Sequence, residues 1–281
     1  MPDVVQAAGW GLLAGSGLLI GAVVAVASGG RLPHRVNATA MGFGGGVLIA
    51  VLSVDLMDSA FRDGGPLAAA LGFLVGATTF CAVNWRLAQH GARHRNRCGD
   101  CVEQPSEADH RGSGAAIAVG ALLDGLPESL VIGLSVLGGE RLGPGLVAGF
   151  FLANVPQGLS GSSGMRKAGR SGRYVFGLWS GIVLVSGIAA AAGSLLLGSA
   201  APAVPATILA FAAGAVLAML AESMIPEAFA DAQPFIGLIT VIGFLVAFLI
   251  MKMPERNGAD APRPPASEVP DALPAVRGGA P

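Results

Sequence analysis

Apolar residues gather in eight blocks, near 7–28, 38–60, 65–85, 114–136, 142–163, 173–198, 204–228 and 233–253, with short segments of glycine, proline and charge between them. An α-helix rises 1.5 Å per residue, so about 20 apolar residues cross the roughly 30 Å of hydrocarbon in a bilayer. The pattern predicts an all-α, polytopic membrane protein of eight transmembrane helices. The stretch 185–215 has no polar break, and its division into two spans rests on Gly198, Pro202 and Pro205. Residues 1–253 read as one transmembrane domain with a polar loop at 86–112. From Pro254 onward proline, alanine, glycine and charge dominate, and 254–281 is expected to be a disordered tail.

Composition agrees. Charged residues make up only 12% of the chain against 53% hydrophobic, and mean hydropathy is +0.65. Soluble domains carry about 25% charged residues; half of that cannot coat a water-exposed globule, so the lipid bilayer is the expected surrounding. The 43 glycines are scattered through apolar blocks, where small residues let helix backbones approach closely. A net charge of −1 gives no nucleic-acid footprint. Met1-Pro2-Asp3 lacks the basic start of a secretory signal, so the first block is expected to remain as a span. Cys81 lies in an apolar block and reads as a small buried hydrophobe.

Lysine and arginine set the orientation. Alternate loops carry Arg31 and Arg35, then Arg86, Arg93, Arg95, Arg97 and Arg111, then Arg166, Lys167, Arg170 and Arg173; the opposite short loops hold only Arg62 and Arg141. The basic set is expected to be cytoplasmic, in the cell (inner) membrane, with both termini on the other side. Lys252 and Arg256 run mildly against this.

Ionisable residues inside the blocks carry the functional argument. Each costs about 2.5–3.5 kcal/mol at mid-bilayer, and Asp55, Asp124, Glu128 and Glu222 together cost roughly 10 kcal/mol, comparable to the whole stability of a domain. A bound cation or a water-filled path is the usual compensation. Asp124 and Glu128 are four apart, Asn154 and Gln157 three apart, so each pair shares a helix face. Each also flanks a proline, in Asp124-Gly125-Leu126-Pro127-Glu128 and Asn154-Val155-Pro156-Gln157. Proline removes one helical hydrogen bond, which frees carbonyl oxygens beside carboxylate and amide oxygens. Glu222 precedes Pro226 by four, so its own carbonyl is released. Asp58 and Glu227 lie close to span ends and are expected to be solvated.

These motifs resemble the paired H-N-x-P-E-G signatures of the ZIP (Zrt/Irt-like) metal transporters, in Leu126-Pro127-Glu128-Ser129-Leu130 and Asn154-Val155-Pro156-Gln157-Gly158-Leu159. Ile225-Pro226-Glu227-Ala228 resembles that family's penultimate span, and Gly42-Phe43-Gly44-Gly45-Gly46-Val47-Leu48 its second. The resemblance implies transport of divalent metal by alternating access, with spans one, four, five and six moving against two, three, seven and eight. The ligand positions have diverged. The family's span-four histidine and asparagine fall on Asp124 and Gly125, with Glu128 kept. In span five the family's first ligand position falls on Ala153, its asparagine or aspartate on Asn154 and its glutamate on Gln157, and a bridging glutamate of span six falls on Ser186. No histidine remains inside a span. The implied metal set is therefore oxygen-only: Asp124, Glu128, Asn154 and Gln157, with Glu222, Asp55 and Ser186. Oxygen ligands suit harder ions such as manganese or magnesium, while imidazole and thiolate suit zinc; zinc also accepts carboxylates. Zinc, manganese and iron all stand as substrates, and no organic cofactor is implied.

The polar loop holds His90, His94, Cys98 and Cys101, with His110 further on. Cys98-x2-Cys101 has a zinc-knuckle spacing, so a metal site there stands beside the alternative of a solvated basic loop. Three function classes remain: a transporter of divalent cations; a transport-defective ZIP-like sensor or scaffold, favoured by the lost ligands at Gly125, Ala153 and Gln157; and an intramembrane enzyme. The last is disfavoured, because no H-E-x-x-H occurs and Ser160, Ser162 and Ser163 have no histidine or lysine partner in a span. A homodimer is compatible with the sequence, which localises no interface.

Overall fold

A computed structural model of the protein describes residues 2–29, 32–89, 113–137, 144–201, 203–229 and 234–259. The described residues form helices and contain no strand. In order these are α1 (Pro2–Ala27), α2 (His34–Val51), α3 (Met57–Leu87), α4 (Ser113–Leu137), α5 (Pro144–Lys167), α6 (Gly172–Leu197), α7 (Ala203–Met219), α8 (Ile225–Phe229) and α9 (Ile236–Ala259). Helix α9 runs past Pro254, where the tail was expected to begin, to Ala259. His90, His94, Cys98 and Cys101 lie outside the described residues.

Five helical segments are long and apolar enough to cross a membrane: Asp3–Ala27, His34–Leu87, Ala118–Val136, Gly172–Leu197 and Ala203–Phe229, with Ile236–Lys252 a shorter apolar helix. The long segment His34–Leu87 breaks at Gly65, whose φ of 75° and ψ of 174° are not helical. That left-handed backbone is where glycine is needed, and Pro66 then restarts the helix at its tolerated first position. Helix α5 is the least apolar of the long helices, yet nearly all of it after Phe151 is buried. Protein, not lipid, surrounds it.

Two π-helical turns interrupt the rods, at Leu52–Leu56 between α2 and α3 and at Leu220–Met224 between α7 and α8. In each, a backbone N–H bonds to the carbonyl five residues back, Met57 to Leu52 and Ile225 to Leu220. Nothing in the hydrophobic spacing announces them. The second is promoted by Pro226, which has no N–H to give to the Glu222 carbonyl.

Packing divides the helices into two groups. Helix α1 packs chiefly on α5 and α6, and α4 on α6; α3 packs on α7, and α2 on α9 and α8. The groups meet where α2 and α9 cross α5 and where α4 crosses α7. Within each group glycines permit backbone contact. A Cβ on Gly76 would overlap the Phe211 carbonyl, and one on Gly214 the Phe73 carbonyl, so α3 and α7 interlock reciprocally.

Candidate functional site

Helices α4 and α5 supply a buried polar cluster. Asp124 is 3% exposed, Glu128 2%, Asn154 5% and Gln157 6%. Glu128 stands beside the amides of Asn154 and Gln157, with Asp124 one turn away on its own helix. Asn154 Nδ2 also donates to the Ala14 carbonyl of α1 (3.1 Å), and Gln157 Nε2 approaches Met224 Sδ in the second π turn (3.8 Å). An amide that donates through nitrogen keeps its carbonyl oxygen as an acceptor. Glu128 Oε1, fully buried, has no hydrogen-bond partner.

Such an oxygen carries a large desolvation penalty unless a proton, a water or a cation completes it. The donor set is two carboxylates plus amide oxygens, and among the described residues no three His, Cys, Asp or Glu side chains converge as a metal-holding group. The chemistry is that of a hard-oxygen cradle. Ser186 of α6 joins from the side: 8% exposed, its Oγ lies 3.8 Å from where a Cβ on Gly125 would stand. At Gly125, one turn before Ser129, the serine hydroxyl donates back to the carbonyl (2.7 Å), occupying a backbone acceptor beside the Pro127 kink.

Two expected members stand apart. Asp55 is half-buried within the first π turn, which packs on α7 as well as on its chain neighbours α2 and α3. Glu222 is turned away: exposed in the second π turn, it accepts a hydrogen bond from Asn84 Nδ2 of α3 and interacts with Cys81 on the same helix. Cys81 is accordingly half-buried with a polar neighbour, not a plain core residue. The reason for the displacement is geometric. A π turn spends one extra residue, rotating the side chains beyond it by about 100° relative to an unbroken α-helix. Glu222 therefore addresses α3, and Met224 addresses Gln157.

Glu227 corrects the opposite expectation. It is 1% exposed, not solvated, and accepts a hydrogen bond from Ser160 Oγ of α5. Asp58 behaves as expected: it is 53% exposed and pairs with Arg62, four residues on, at 2.7 Å. The α5 serines are all inaccessible, and Ser162 accepts from Trp179 Nε1 (2.7 Å), which ties α5 to α6. An apolar groove of about 580 Å³ between α2, α5 and α9 touches Pro156 on the side away from the cluster; Phe43, Leu152 and Val155 line it, and Arg35 stands at its rim.

No family model matches the chain. Over 224 residues it is 28% identical to the zinc transporter ZupT of Enterobacter sp. (strain 638), a match covering 77% of this chain and 84% of the relative.

Proposed function

The chain is a distant relative of the ZIP-family transporters, and from that premise we propose that it moves divalent metal cations across the inner membrane through the α4–α5 cluster. The relative is a transporter and not an enzyme, and this chain is read the same way. Asp124 and Glu128 supply the charge that draws a cation out of water, and Asn154, Gln157 and Ser186 supply neutral oxygens. The observation that carries the reading is Glu128 Oε1, a carboxylate oxygen in the membrane interior without a hydrogen-bond partner. A cation neutralises the pair while present, and its departure restores the electrostatic demand for the next.

Eight spans follow from the same premise. At 1.5 Å per residue, His34–Leu87 would measure about 80 Å as one rod, far beyond a bilayer, and its break at Gly65 makes two spans of it. Helix α5 counts as a span shielded by its neighbours, and α7, the second π turn and α8 together make one. Basic residues at the α5–α6 turn then face the cytoplasm, with both termini opposite. A homodimer has no support among the described residues or in the relative.

The donor set favours manganese or iron alongside zinc. Uptake of zinc, manganese, iron, magnesium and cadmium into proteoliposomes tests the proposal. Saturable uptake of at least one, lost in Glu128→Ala, is expected; equal uptake by both proteins removes the assignment. The second reading, a transport-defective sensor or scaffold, draws on the lack of a three-residue His/Cys/Asp/Glu group among the described residues. Binding without flux in the same vesicles would favour it.

A further inference from the structure

Past the Glu128 cluster, toward Lys167, the polar lining continues. Gln157 meets Met224, and Ser160 meets Glu227. The two pairs share one sequence offset, so α5 and the α7–α8 rod run side by side in the same direction. On α5, Gln157, Ser160 and Ser163 recur every three residues and hold one face. Ser160 and Ser163 are fully buried, and Glu227 is 1% exposed.

Helix α2 closes the other side. Gly44 packs on Pro156 and Met224, and Val51 packs on Gly149. These contacts fix an antiparallel register between α2 and α5. Carried seven residues further, it brings Asn37 level with Ser163. Asn37 shares the stripe of Met41 and Gly44, so it points at the same seam. It is 0% exposed, yet neither its Nδ2 nor its Oδ1 has a hydrogen-bond partner, and Ser163 Oγ is likewise unpartnered. A buried amide with both ends open is rare in proteins, and a water or an ion is the usual completion.

We propose that Glu227, Ser160, Ser163 and Asn37 form a second divalent-cation station, about 4.5–9 Å along α5 from Gln157. This rests on the transport function proposed above. One carboxylate with hydroxyl and amide oxygens suits a hard, partly hydrated divalent ion. Because it has one carboxylate where the first cluster has two, the station holds an ion more weakly and passes it toward the basic end of α5.

Manganese binding to the purified full-length chain, counted by electron paramagnetic resonance, tests this. Glu227→Gln is expected to bind one equivalent fewer than wild type, Glu128→Gln to lose a different, tighter equivalent, and the double variant to lose both. Asn37→Leu is expected to weaken the looser equivalent at least ten-fold and to slow manganese uptake into proteoliposomes. Wild-type stoichiometry in Glu227→Gln overturns the station, including the case in which that variant only loses thermal stability because the Ser160 bond merely ties helices. If Glu227→Gln does not fold, Asn37→Leu and Ser163→Ala decide, and unchanged affinity in both overturns the proposal. One wild-type equivalent, removed by Glu128→Gln, overturns the station while leaving the first site standing. No binding by wild type overturns both.

Discussion

Glu128 and Glu222 are both glutamates near a proline in an apolar helix, and the protein treats them differently. Glu128 is buried beside the Asn154 and Gln157 amides of α5 and keeps one oxygen open. Glu222 sits at an exposed position on the α3 side, satisfied by Asn84 and close to Cys81. The contrast lies in the backbone. Helix α4 holds its period through Pro127, so a four-residue spacing keeps Asp124 and Glu128 together. The α7 rod gains a residue at its π turn, and the same spacing logic fails after it. An acid inside an apolar helix signals function only once its face is known.

The comparison can be broken most directly by flux. Glu128→Ala is expected to lower divalent uptake into proteoliposomes roughly a hundred-fold, the equivalent of losing a charge-assisted hydrogen-bonded group. Glu222→Gln, which can still accept from Asn84, should change uptake less than about three-fold, since a neutral hydrogen bond is worth about 1 kcal/mol or less; a loss as large as that of Glu128→Ala would return Glu222 to the pathway. Packing offers the next contrast. Gly76→Val drives a side chain into the Phe211 backbone and is expected to cost about 1–3 kcal/mol or more, read as a lower unfolding temperature in detergent. The smallest effect belongs to Arg62→Ala. Its pair with Asp58 is more than half exposed, so stability should shift by no more than about 0.5 kcal/mol.

Much of this arrangement is legible in the sequence. Most helical blocks end within a few residues of their expected limits, because apolar length and glycine–proline punctuation act locally, while the second and third blocks run on to a break at Gly65 and α9 extends to Ala259. Spacing alone places Asp124 with Glu128 and Asn154 with Gln157 on one face of their own helices, since three- and four-residue intervals fix a face; that the two faces meet is seen only in the structure. Ser186 came from family resemblance and does stand beside α4. Spacing did not reveal the pair of π turns, and with them the true directions of Glu222 and Glu227. Distance from a span end suggested that Glu227 meets water; the α5 serine stripe was the signal that could have placed it inside. Asn37 was missed for a similar reason. A single asparagine outside any paired motif carries no signal until the helix opposite is known.

The reciprocal fit of Gly76 and Gly214 has a mechanical consequence. With each backbone seated in the other's notch, α3 cannot slip lengthwise on α7 without a carbonyl climbing over a neighbouring chain. Neither helix can then shift along its axis without carrying the other with it.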